Sequence, residues 1–112
     1  MNFSYPIHWP QYFTATISNW GHLLKEDNHK DIIIDSLQYL TSSNVITLNA
    51  FVIMSNHIHL IWQALPGFTP SAVQSSFMKY TANRLKKSLT IYDPQQLELY
   101  KVNKYDRKYQ FF

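Results

Sequence analysis

The chain has 112 residues, enough for one compact domain, and its 46% apolar content can fill a modest core without covalent staples. It holds no cysteine, which excludes a disulfide framework and a thiolate zinc site and fits a reducing cytoplasm. No apolar run approaches the ~20 residues needed to cross a bilayer, and the opening Met1-Asn2-Phe3-Ser4-Tyr5-Pro6 lacks the basic-then-apolar layout of a signal peptide, so a cytoplasmic protein with no membrane partner is expected.

The net charge of +3 is unevenly spread. Residues 1–78 set Lys25 and Lys30 against Glu26, Asp27, Asp31 and Asp35, a balance of −2. Residues 79–112 set Lys79, Arg84, Lys86, Lys87, Lys101, Lys104, Arg107 and Lys108 against Asp93, Glu98 and Asp106, a balance of +5. The later segment suits a polyanion, or simply a well-solvated surface.

In chain order, Tyr12 to Ser18 is dense in aromatic and β-branched residues after Pro10 and predicts a first strand, broken at Asn19-Trp20-Gly21. From His29 to Thr41, Ile33, Leu37 and Leu40 recur at helical spacing, with Asn28 as the expected cap. Ser42-Ser43-Asn44 ends that helix. Ile46–Met54 and His57–Gln63, joined by Ser55-Asn56, predict an antiparallel hairpin closed by Pro66-Gly67. Thr69-Pro70 is an N-cap followed by proline at the first helical position, and the helix should reach Leu89. Val73, Phe77, Tyr80, Leu85 and Leu89 form its apolar stripe, with Lys79, Asn83, Lys86 and Lys87 opposite. Beyond Asp93-Pro94 no period is visible. The order strand, helix, strand, strand, helix predicts an α+β, ferredoxin-like antiparallel sheet with two helices on one face.

His57-Ile58-His59 carries the chemistry. Period-two alternation puts both imidazoles on one face of the strand, ~6–7 Å apart along it, where they can share a divalent ion or stand solvated beside cross-strand neighbours. Gln63 shares that face, and Ile58, Leu60 and Trp62 take the other. His8, His22 and His29 read as ordinary loop histidines, and Asp27, Asp31 and Asp35 as the solvent side of a helix. Tyr80 reads as core. Tyr100, Tyr105 and Tyr109, interleaved with lysines, suit either base stacking or covering of a sheet edge.

The run Phe51-Val52-Ile53-Met54-Ser55-Asn56-His57-Ile58-His59-Leu60-Ile61-Trp62 closely resembles the signature of the HUH single-tyrosine transposases, in particular the REP-associated kind. Tyr12-Phe13-Thr14-Ala15-Thr16 with Asn19-Trp20, Phe77-Met78-Lys79-Tyr80-Thr81 and Lys108-Tyr109-Gln110-Phe111-Phe112 are similar to further parts of that family. The resemblance implies cleavage and rejoining of single-stranded or hairpin DNA by attack of a tyrosine on a phosphodiester. It implies a divalent metal, Mg²⁺ or Mn²⁺, on His57 and His59, although imidazoles by themselves would not favour Mg²⁺. Lys79, Asn83, Lys86, Lys87, Arg107 and Lys108 are the expected DNA contacts, and a homodimer is a possible assembly.

In the resembled family the nucleophile lies on a helix after the aromatic-basic tail. The sequence ends at Phe112 before such a helix, so the expectation is one transposase-like domain over 1–112, C-terminally incomplete and lacking its nucleophile. The alternatives are a non-catalytic DNA-binding module of the same fold and an unrelated metal-dependent hydrolase. The hydrolase is less attractive for want of a carboxylate near the histidines.

Overall fold

Alternation along Gln11–Thr16 turns Phe13 and Ala15 to one side and Tyr12, Thr14 and Thr16 to the other, and this strand, β1, is the first regular element of the computed structural model, which describes residues 9–112. His8 therefore lies outside the described residues. Two single 3₁₀ turns, Ser18–Trp20 and Leu23–Lys25, carry the chain to α1 (Asp27–Ser42). Its apolar stripe buries Ile32, Ile33, Leu37 and Leu40. The helix starts earlier than its hydrophobic pattern suggests: Glu26 occupies the N-cap position, without a side-chain cap, and Asn28 is already inside the first turn.

β2 (Ile46–Ile53) and β3 (His57–Ala64) form the hairpin, closed by a Met54 N–H to His57 carbonyl bond of 2.8 Å. The three strands lie in the order β1-β3-β2, each pair antiparallel. β1 and β2 are thus parallel, with β3 slotted between them, which is the split β-α-β half of a ferredoxin-like fold. A bulge at Asn49 shifts the β2 register, with Leu48 opposite Trp62 but Ala50 opposite Ile61. Before it, Ile46 and Leu48 share the face of Trp62; after it, Phe51 and Ile53 do.

Thr69 caps α2 (Pro70–Tyr92) by accepting from the Ala72 N–H at 3.1 Å. Its buried stripe is Val73, Phe77, Thr81, Leu85 and Leu89. The stripe corrects the expectation for Tyr80, which is 37% exposed beside it. Thr81 takes the core place instead and silences its hydroxyl on the Phe77 carbonyl at 2.7 Å. Tyr80 lies stacked with Tyr39, ring centroids 6.3 Å apart, under the Arg84 guanidinium.

Both helices cover the face of the sheet that carries Ile58, Leu60 and Trp62, and Phe77 packs edge-on against Trp62 at 5.4 Å. The other face carries no helix among the described residues. Past Asp93, where the sequence showed no period, come α3 (Pro94–Glu98), capped by the Asp93 carboxylate, and a separate hairpin of β4 (Lys101–Lys104) and β5 (Arg107–Tyr109). This hairpin forms its own two-stranded sheet and adds no fourth strand to the main one.

His29 is not a loop residue. It sits in the first turn of α1, 4% exposed, with its ring Nδ1–H donated to the Leu23 carbonyl at 2.7 Å. No helix among the described residues is long and apolar enough to cross a membrane.

Candidate functional site

β3 is paired on both sides, so the side chains of its uncovered face are held by two ladders at once. His57 and His59 rise from that face with ring centroids 4.7 Å apart and planes at 83°. Their neighbours across the β1 ladder are Thr16 and Thr14, and Val52 of β2 lies opposite His59 on the other side. The turn just before His57 is anchored by the Ile17 N–H on the Asn56 carbonyl at 2.8 Å and the Leu24 N–H on the Ser55 carbonyl at 2.9 Å. His22 stays in a loop but is not idle: its Nδ1 lies 2.7 Å from the Ser55 hydroxyl and ties the same turn.

Hydrogen bonding orients the two rings. Asn56 Oδ1, 2.7 Å from His57 Nδ1, can only accept, so that nitrogen carries the hydrogen and Nε2 keeps its lone pair. His59 Nδ1 is met by the Tyr12 hydroxyl and by Thr14 Oγ1 at 3.1 Å. Among the described residues both imidazoles thus make their hydrogen bonds through Nδ1. Two imidazoles whose Nε2 atoms make no hydrogen bond among the described residues fit a divalent ion as a partial set of ligands. No group of three or more His, Cys, Asp or Glu is gathered for an ion among the described residues. Gln63 lies further along the same strand, opposite Thr47.

The cations expected to meet DNA divide. Lys79 and Asn83 of α2 face Arg107 of β5 across a groove of about 570 Å³. Lys86 and Lys108 flank it, their ammonium groups 5.6 and 5.7 Å from the Tyr109 ring. Arg107 pairs with the Asp106 carboxylate at 3.0 Å, and its guanidinium holds that exposed carboxyl below the usual carboxylate range. Lys87 stands apart: it lines a different groove, between α1 and α2, with Arg84, Asp31 and Asp35. The helix turn that carries it points it toward acid, which is why it does not join the basic cluster.

A second groove of about 450 Å³ runs between β1 and α2. It shares Ser75, Met78 and Phe112 with the basic groove and includes Thr14, the partner of His59. The three tyrosines of the tail also separate. Tyr100 is buried against Phe111, and burial pushes its phenol up from the ordinary value. Tyr105 is fully exposed at the turn of the β4–β5 hairpin, and Tyr109 is half-buried between its two lysines.

Fold and site together define an α+β protein with a split β-α-β sheet and a pair of oriented imidazoles on its uncovered face. The chain belongs to the IS200-like transposase family, whose model, described as "Transposase IS200 like", matches residues 12–112. Two solved structures share the fold. A candidate transposase from Deinococcus radiodurans superposes with a TM-score of 0.57 at 19% identity, over 80% of this chain and 70% of that one. A REP-associated tyrosine transposase bound to a REP hairpin gives 0.54 at 16% identity, over 83% of this chain and 56% of that one, so this chain spans little more than half its length. No curated protein matches.

Proposed function

We propose that the chain handles single-stranded or hairpin DNA in the manner of a DNA-cleaving and rejoining transposase, with His57 and His59 holding a divalent ion, Mn²⁺ or Mg²⁺, at the attacked phosphodiester. The observation that carries the reading is the pair of imidazoles 4.7 Å apart on the central strand, with His57 Nδ1 spent on a carboxamide oxygen. An ion held there supplies Lewis-acid polarisation of a non-bridging phosphate oxygen. Lys79, Asn83 and Arg107 grip the backbone of the strand in the basic groove, with Lys86 and Lys108 beside it. The groove along β1 leads from there toward Thr14 and the histidines. The bound REP hairpin of the REP-associated relative supports a nucleic-acid ligand of this kind.

The reading assigns the attacking phenol to none of the described tyrosines. Tyr12, the one at the histidine pair, has its hydroxyl engaged at His59 Nδ1, across the ring from Nε2, and Tyr100 is buried. The chain should therefore bind a labelled hairpin with single-stranded flanks in Mn²⁺ without forming a covalent adduct. An adduct would overturn that assignment, and peptide mapping would name the tyrosine. Alanine at both His57 and His59 should abolish Mn²⁺ binding and leave DNA binding in EDTA intact. Unchanged Mn²⁺ affinity in that variant would leave the non-catalytic DNA-binding module as the better description.

A further inference from the structure

Resting on the reading that His57 and His59 hold a divalent ion, we infer that Tyr12 and Thr14 are positioning residues, whose hydroxyl oxygens accept the His59 Nδ1 hydrogen and so present its Nε2 lone pair to the ion. The geometry comes from the β1–β3 ladder. Thr14 is the direct partner of His59, and Tyr12, opposite Ile61, reaches back diagonally. Both hydroxyls converge on one nitrogen, Thr14 Oγ1 at 3.1 Å, and the Tyr12 ring lies along the imidazole with centroids 5.6 Å apart and planes at 24°.

Convergence decides the direction of the bond. A bare ring nitrogen offers one lone pair, which accepts one good hydrogen bond and would leave the second hydroxyl crowded against it. An N–H, by contrast, can be shared between two oxygens in a three-centre bond, and each hydroxyl then keeps its own hydrogen for solvent. Two oxygens at Nδ1 therefore mean an Nδ1–H tautomer, the same one that Asn56 imposes on His57. Core packing does not account for the contact, since Tyr12 is 63% exposed and its side chain belongs to the uncovered face. A partner that fixes a ligating histidine through its second nitrogen typically governs metal affinity by roughly 10–100-fold.

The test uses Tyr12→Phe/Thr14→Val, with Thr14→Ser as the conservative control. In the metal-free protein, imidazole ¹⁵N NMR should find His59 as Nδ1–H in the wild type and shifted toward Nε2–H in the double variant, with the His57 signals and Tm unmoved. Mn²⁺ affinity by electron paramagnetic resonance should fall roughly tenfold in the double variant and stay near wild type with serine. An Nε2–H tautomer in the wild type, or a double variant with wild-type tautomer and Mn²⁺ affinity, overturns the assignment. A wild-type chain that shows the Nδ1–H tautomer yet binds no Mn²⁺ at its histidines overturns the metal reading itself, and the positioning role of Tyr12 and Thr14 falls with it.

Discussion

Gly21 and Tyr100 meet where the first 3₁₀ turn passes under the tail. The glycine has an ordinary φ of −61°, so its backbone would accept any residue, but a Cβ built there falls 2.5 Å from the Tyr100 hydroxyl oxygen and 3.4 Å from Cζ behind it. Overpacking should make Gly21→Ala cost about 1–3 kcal/mol. Tyr100→Phe removes only the offending oxygen, so in the double variant the alanine should cost markedly less, as a chemical-denaturation cycle would measure. The same phenol has a pH consequence. Burial raises its pKa, so the folded state holds the proton more tightly than the unfolded state does. That contribution is complete below the ordinary phenol value of about 10 and is lost as pH climbs through the folded value. Alkaline unfolding should be less steep in Tyr100→Phe.

Single residues were also where the sequence was hardest to read. His29 stands four residues before Ile33 and Thr81 four after Phe77, so each occupies a stripe position that spacing could have revealed; polarity hid them, because a buried polar side chain reads as exposed until its partner is known. Tyr12 left no such trace. Its place beside His59 depends on β1 pairing with β3 across 47 residues, and no local pattern encodes that register.

At the level of elements, the split β-α-β half was legible because each piece has its own period, and the Thr69-Pro70 start of α2 appears where capping chemistry placed it. The start of α1 lies ahead of its hydrophobic pattern, since its first turn is polar, and the β4–β5 hairpin has no sequence signal, since strands of four and three residues carry too little pattern to announce themselves. The bulge in β2 has no sequence signal for a related reason: residues 50–53, the part after it, are apolar on both parities, so a change of face leaves no mark in composition. Its importance can be measured. Asn49→Ala should alter stability by less than about 0.5 kcal/mol, since the side chain is exposed. Deleting Asn49 should instead abolish cooperative unfolding, because without the extra residue either Ile46 and Leu48 or Phe51 and Ile53 must turn away from Trp62.

For the whole molecule, the lopsided charge seen in the sequence becomes a place. Lys79 comes from one element and Arg107 from another 28 positions later, and the fold brings them to one groove while Asp31 and Asp35 are held on the far side of α2. Affinity for single-stranded DNA should fall steeply with salt. Replacing both Lys79 and Arg107 with alanine should flatten the slope of log K against log salt by about 1.4, at ~0.7 per lost phosphate contact. Lys87→Ala should leave the slope nearly unchanged, which separates the groove from a general effect of net charge.

The doubly paired position of β3 also bears on how the ion proposed at His57 and His59 would come and go. Strands hydrogen-bonded along both flanks are the slowest to exchange their amides, so the two imidazoles stand on the part of the chain that opens least. An ion taken up by that proposed pair would then meet ligands already ordered, unlike a zinc finger, whose metal is its folding energy. A chelator should lower the melting temperature only by the binding free energy it removes, and the emptied protein should stay folded and reload without refolding.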